Sequence, residues 1–341
     1  MDSRYPIKPL DFEGISTYPL QTRKSKVHAE MFGKAMDGSE NILGFVSKLP
    51  HILAGDNLRS LIRAVLYAYS SRKPIIWGLG GHVIKVGLGP VIVDLMKSGF
   101  VTGIAMNGSA AIHDFEVALG GATSEEVEEQ IGEGRFGMAQ ETGEYMNGAI
   151  TEAASNGIGM GEGLGTFIHQ GIDRGIVFDY RDASILAEAH LRNIPVTVHV
   201  AIGTDIIHTH PDASGKALGL ATYHDFRLFC SMTKELDSGG VFLNVGSAVV
   251  LPEVFLKAVS VVRNLGYRLE EFTTANLDFI QHYRPTQNVL KRPTQNSGQA
   301  IALTGHHEIM IPLIAAALKG SLARSSPGTP DARQPRTGEK G

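Results

Sequence analysis

Apolar and polar positions alternate between two periods along this chain. Residues 74–77, 100–105, 194–200, 241–245 and 267–272 are short runs that reach a turn of glycine or small polar residues, which predicts strands buried in a parallel sheet. Between them, apolar positions recur at helical spacing. The stretch 57–69, NLRSLIRAVLYAY, has this period. Pro90 suits a helix start, with Val91, Ile92, Leu95 and Met96 on one face and Gly99 as the stop. Further helices are predicted over 28–45, from the 107–109 turn to Gly120, and over 138–154, 182–192, 215–236, 252–266 and 308–318. At least five strands alternating with helices predict an α/β fold, a doubly wound and mostly parallel sheet with helices on both faces.

Other segments fall outside that alternation. Thr123-Ser124-Glu125-Glu126 fits a capping box. The glycine-rich segment 156–170, NGIGMGEGLGTFIHQ, reads as a loop near a site or between subunits. A second long loop, 279–298, carries RPTQN twice. The expected organisation is an arm and helix over 1–39, one catalytic domain over 40–319, and a tail over 320–341 with the composition of disorder.

Bulk properties narrow the function classes. Hydrophobic content of 43%, charged content of 19% and a net charge of −4 are ordinary for a globule, and there is no basic stripe, so nucleic acid is not an expected partner. A single cysteine, Cys230, excludes an internal disulfide framework and favours a reducing compartment. No apolar run reaches the roughly 18 residues that a membrane span needs, so the expectation is a cytoplasmic protein without membrane contact.

In an open parallel sheet, ligands bind beyond the carboxyl ends of the strands. That edge collects His82 and Lys85 after the first strand, Asn107, Ser109, His113 and Asp114 after the second, then Asp205, Ser247 and Thr274. Glycine turns let backbone approach phosphate, and helix amino ends favour its charge. The bland alternatives are a polar turn for His82 and dipole or capping stabilisation for Asp114. His208, His210 and Asp212, like His306, His307 and Glu308, lack the i, i+4 spacing of a helical metal motif, and no metal is expected.

In order and spacing, these strand ends resemble the deoxyhypusine synthase family over roughly residues 40–318. The parts are the glycine-rich turn at 80–89, Asn107-Gly108-Ser109 where the family has Thr-Ala-Gly-Gly, and IPVTVHVAIGTD ending at Asp205 where it has IPVFSPALTDG. GSAVV at 246–250 stands against GGGVV, and TTAN at 273–276 against NTA. The resemblance implies bound NAD, with Asn107, Gly108, His113 and Asp114 along the dinucleotide and Asp205, Gly246, Ser247, Thr274 and Ala275 completing its pocket; His82 and Ser109 are added from their place at the edge. It also implies a homotetramer with sites at subunit interfaces.

The departures bear on the substrate. Where synthases carry RPDEAVSWGK, ending in the lysine that forms the imine, this chain has Arg284-Pro285-Thr286-Gln287-Asn288-Val289-Leu290-Lys291. A lysine survives near the expected place, but the acids and the tryptophan that hold a polyamine do not. Carboxylates offset the desolvation of ammonium groups, so their loss argues for a different amine. The chain also resembles, more loosely, NAD-binding domains of an ornithine cyclodeaminase type, through GGHVIKVG and NGSAAIHDFE. The expectation is an NAD-dependent enzyme acting on a small amine through an imine by dehydrogenation, aminoalkyl transfer or deamination. Lys291 is the candidate nucleophile, and His208 or Glu253 the candidate base. A genuine spermidine-dependent synthase, a non-catalytic NAD-binding protein and a metal-dependent hydrolase are the rivals.

Overall fold

A computed structural model describes residues 4–325 of the chain. Six strands form one all-parallel sheet: β1 (Ile75–Leu79), β2 (Gly103–Asn107), β3 (Val196–His199), β4 (Val241–Val245), β5 (Thr273–Asp278) and β6 (Gln299–Thr304), in the order β3-β2-β1-β4-β5-β6. From β1 the chain winds one way through β2 and β3, then restarts at β4 and winds the other way. The reversal lies between β1 and β4, where Ile75–Leu79 pairs in register with Val241–Val245.

Helices cover both faces. They are α1 (Ile42–Lys48), α2 (Leu53–Ser70), α3 (Gly81–Lys85), α4 (Gly89–Lys97), α5 (Gly108–Gly120), α6 (Val127–Ile131), α7 (Gln140–Ser155), α8 (Met160–His169), α9 (Ile185–Leu191), α10 (Gly215–Lys234), α11 (Val250–Asn264), α12 (Tyr283–Pro285) and α13 (His307–Ser325). Alternate strand residues feed two cores. Ile75, Trp77 and Leu79 pack with α2, α5 and α9, while Ile76 and Phe242 pack with Phe229 of α10 and Phe255 of α11. Both faces are dry, which is why the strands read as continuous apolar runs. Among the described residues no helix is long and apolar enough to cross a membrane.

Several expectations are corrected. The strand foreseen at 267–272 begins instead at Thr273: the Asp237 carboxylate accepts from the amides of Glu270 and Glu271, folding that charged stretch into a turn, and TTANLD enters the sheet. Its polar side chains are tolerated because Asn276 accepts from Asn244 at 2.7 Å and donates to Gln281. A sixth strand, β6, was not foreseen. The first RPTQN copy is helical, α12 running into a π-helix over Thr286–Lys291.

The glycine-rich segment 156–170 holds a buried helix, α8, rather than a loop. A Cβ at Gly161 would overlap the carbonyl oxygen of Val196, and one at Gly165 would come within 2.9 Å of that of Leu186. The glycines therefore permit close packing on β3 and α9. No capping box forms at 123–126: Thr123 turns its hydroxyl to Glu116, and α6 is capped by Glu126 without a side-chain bond. The 28–45 region holds one 3-10 turn and the start of α1 rather than a continuous helix. Residues 4–24 are exposed throughout, α13 continues to Ser325, and the tail from residue 326 lies outside the described residues.

Candidate functional site

The two loops at the reversal touch. Gly80 donates to the carbonyl of Val245 at 2.9 Å, and a Cβ at Gly80 would overlap the carbonyl oxygen of Gly246, which itself sits at φ +67°. Only glycines allow β1 and β4 to end this close together. Ser247 follows, fully buried, with its Oγ accepting from Leu251 in the first turn of α11.

Beside this junction, β2 runs straight into α5. Asn107 caps the helix by accepting from Ala110 at 2.9 Å, and Gly121 closes it in the left-handed region. Ser109 presses on Gly81, where any side chain would overlap its hydroxyl, and the Asp205 carboxylate lies against Gly108 at the amino end of α5. A carboxylate there is favoured by the helix dipole. Burial nevertheless raises the Asp205 carboxyl above its usual range, with His208 and Thr204 opposing the rise.

These residues wall a cleft of about 160 Å³ whose polar lining includes Lys85, Ser109, His113, Glu116, Glu125 and Asp205. It shares Glu116, Ser124 and Glu125 with a wider depression that reaches Glu141, Thr142 and Tyr145 on α7. On the floor, Glu116 accepts from Thr123 and, at 3.1 Å, from Thr142, while the Thr123 hydroxyl stands 2.6 Å from Nδ1 of His113. Burial pushes the Glu116 carboxyl up, but neighbouring His113, its Nδ1 3.6 Å away, and the hydrogen bonds from Thr123 and Thr142 outweigh it and hold the group below its ordinary range.

A second polar group lies at the ends of β5 and β6. The ring centres of His82 and His307 are 5.3 Å apart, with Phe279 beside both. His307 donates from Nε2 to the Leu277 carbonyl at 3.0 Å, which leaves a buried Nδ1 with no partner. Burial, then the neighbouring His307, lowers the His82 imidazole.

Of the residues expected at the site, His82, Asn107, Gly108, Ser109, His113, Asp205, Gly246 and Ser247 stand along this carboxyl edge. The others are placed differently. Asp114 is wholly buried and caps α9, accepting from the Ser184 hydroxyl at 2.6 Å and from the amides of Ile185 and Leu186. Thr274 and Ala275 pair with Phe242 and Leu243, in the middle of the sheet rather than at its edge.

Lys291 is exposed at the end of the π-helix. Its segment runs along α11, from Asn288 on Glu253 in the first turn to the Pro293 carbonyl on Arg263 in the last, and Lys291 is not among the residues that line the cleft. Glu253 is near the edge but already engaged: Lys257 foremost, then Arg284 and Asn288, hold its carboxyl below the usual range despite slight burial. His208 accepts backbone N–H bonds at Nδ1 from Gly203 and Asp205, so its neutral ring carries the proton on Nε2 and offers no lone pair there.

Sequence reasoning missed the part played by Glu116, Thr123 and Thr142. The i, i+3 spacing of His113 and Glu116 on one helix was a visible signal; the two threonines come from separate segments and had none.

No family model matches the chain, and no curated protein matches it. Solved structures do. A putative deoxyhypusine synthase from Entamoeba histolytica is 13% identical and superposes over 84% of this chain and 96% of that one, with a TM-score of 0.52. AgrE, crystallised as a ternary complex with ornithine and NAD+, is 14% identical over 78% of this chain, with a TM-score of 0.51; the match spans 33% of AgrE. With its all-parallel six-stranded sheet and helices on both faces, the chain has a divergent deoxyhypusine synthase-like fold.

Proposed function

We propose that this protein is an NAD-dependent enzyme acting on a small amine at the cleft beside α5. The observation that carries the reading is the cleft's charge: Glu116, Glu125 and Asp205 face a single cation, Lys85, so the cleft favours an ammonium group. It opens at the carboxyl edge next to the reversal of strand order, where dinucleotides bind in sheets of this winding. The likeness of fold to AgrE, whose crystals hold ornithine and NAD+, supports the same reading.

The residues suit the cofactor. Gly246 and Ser109 fill the space over Gly80 and Gly81, so the groups open to a cofactor at this edge are the half-buried His82, Ser109 and Gly246, while Asp205 suits ribose hydroxyls. Asp205 already occupies the anion-favouring end of α5, so the diphosphate is not expected at that helix end. Bound there, NAD supplies a hydride acceptor for the carbon that bears the amine. The chain's own residues hold the ammonium, through the carboxylates of Glu116, Glu125 and Asp205, and take its proton. An exposed Lys291 beside Pro293 favours an imine that stays free over one passed to a lysine, which sets this reading apart from spermidine-dependent aminobutyl transfer.

Calorimetric titration with NAD, followed by incubation with a panel of primary amines and amino acids while watching reduced nicotinamide, tests the proposal. NAD uptake with reduction by at least one amine is expected. Failure to take up NAD ends the reading; uptake without reduction leaves a nucleotide-binding protein instead. The tetramer implied by the family resemblance is read separately by sedimentation.

A further inference from the structure

We infer that His113 is the proton acceptor of this cleft, fixed in one tautomer by Thr123 and Glu116, and that the substrate nitrogen it serves enters as a primary ammonium. The inference rests on the amine-acting reading above and adds the residue that does the acid–base work.

The count of protons around Thr123 fixes the tautomer of His113. The Thr123 hydroxyl has one proton and two close neighbours, the Glu116 carboxylate and Nδ1 of His113 at 2.6 Å. Glu116, held ionised by the hydroxyls around it, only accepts. The Thr123 proton therefore goes to Glu116, and the Thr123 oxygen accepts from Nδ1–H. The neutral ring then carries its lone pair on Nε2, which has no partner among the described residues, and His113 lines the cleft.

Among the described residues, His113 is the only histidine in the cleft's lining. His208 spends its Nδ1 lone pair on backbone amides, and His307 is fully buried with Nε2–H on a carbonyl. An N–H bond of the incoming ammonium breaks and an Nε2–H bond forms, while the substrate nitrogen keeps the electron pair. The positive charge moves to an imidazole whose Nδ1 is 3.6 Å from Oε2 of Glu116, where the carboxylate stabilises it. Other charged groups facing the cleft are Lys85 from α3, Glu125 from the turn before α6 and Asp205, with Glu141 of α7 in the adjoining depression. Glu116 and Thr123 act through His113 and are positioning residues; His113 alone meets the substrate.

The test reads the tautomer first, without cofactor or turnover. Nitrogen NMR of the full-length protein is expected to show His113 protonated at Nδ1 and bare at Nε2. Thr123→Val should abolish that preference and Thr123→Ser restore it. Titration with propylammonium should shift the Nε2 resonance saturably. In turnover with NAD, His113→Gln is expected to lower kcat by roughly 10²–10⁴-fold with little change in KM, and Thr123→Val by roughly tenfold to a hundredfold, with Thr123→Ser close to the parent.

A proton on Nε2 in the parent protein, a tautomer indifferent to Thr123→Val, or full turnover by His113→Gln overturns the inference. If no amine is oxidised at all, the functional reading fails by itself. The tautomer and the propylammonium shift then still decide whether His113 is the acceptor: both present uphold it, and either absent removes it.

Discussion

Asp225 offers a sharp test of the physics of this fold. It sits on α10, fully buried, and its Oδ2 accepts from the amides of Val198 at 2.8 Å and Gly161 at 3.0 Å, tying β3 to the first turn of α8. Its Oδ1 is buried without a partner. Burial raises the carboxyl to about 7 from 3.8, against the pull of the Val198, Gly161 and Met160 amides. A carboxyl whose folded pKa is raised binds more protons folded than unfolded, so its contribution to stability is present below 3.8 and is lost as pH rises through about 7. At about 1.4 kcal/mol per unit, the loss approaches about 4 kcal/mol above neutrality and is under about 2 kcal/mol at pH 5.

Asparagine is close in shape to the protonated acid. In Asp225→Asn the amide oxygen keeps both backbone bonds, and the amide nitrogen replaces the oxygen that has no partner. The variant should therefore match the parent near pH 4 and exceed it by up to about 4 kcal/mol near pH 7.5. Urea unfolding of both proteins across that range measures the difference. His199, whose imidazole burial lowers to about 3, pulls the parent's profile the other way, costing stability as pH falls below 6.5, but it is common to both proteins and cancels. A variant less stable than the parent at pH 7.5, or a difference that does not change with pH, would refute the reasoning.

Three further outcomes are expected. Asp205→Asn should weaken NAD binding roughly tenfold to a hundredfold, the share of a charged hydrogen bond, by calorimetric titration; unchanged affinity would place the ribose elsewhere. Gly161→Ala puts a methyl group into the carbonyl oxygen of Val196 and should cost about 1–3 kcal/mol, visible as a lower denaturation midpoint; an unmoved midpoint would mean that α8 can slide. Lys291→Ala should leave turnover unchanged, since the side chain is exposed and does not line the cleft; a large loss in a steady-state assay would mean that this lysine reaches the cleft of another copy.

Much of this architecture is legible in the order of residues. A parallel strand buried on both faces must be a short apolar run, so IIWGL, VTVH and VFLNV announce themselves, and the alternation with helical periods gives the winding. The glycine turn after β1 and Asn107-Gly108-Ser109 were equally visible, because backbone conformation at a tight turn restricts residue type locally.

What failed did so where a partner distant in sequence supplied the compensation. TTANLD looks too polar for a core strand until Asn244 meets Asn276, and the glycines of α8 look like a loop until the carbonyls of Val196 and Leu186 fill the space they leave. Asp114 looks like a ligand for a cofactor until the amides of α9 close on it. The sequence by itself determined the elements, their periods and the edge where polar groups gather, since each depends on neighbours within a few residues. Only the tertiary structure decided which polar groups are already satisfied and which keep a lone pair free. Thr123 and Thr142 reach Glu116 from separate segments, and nothing short of the folded chain puts a single hydroxyl proton between a histidine and a carboxylate.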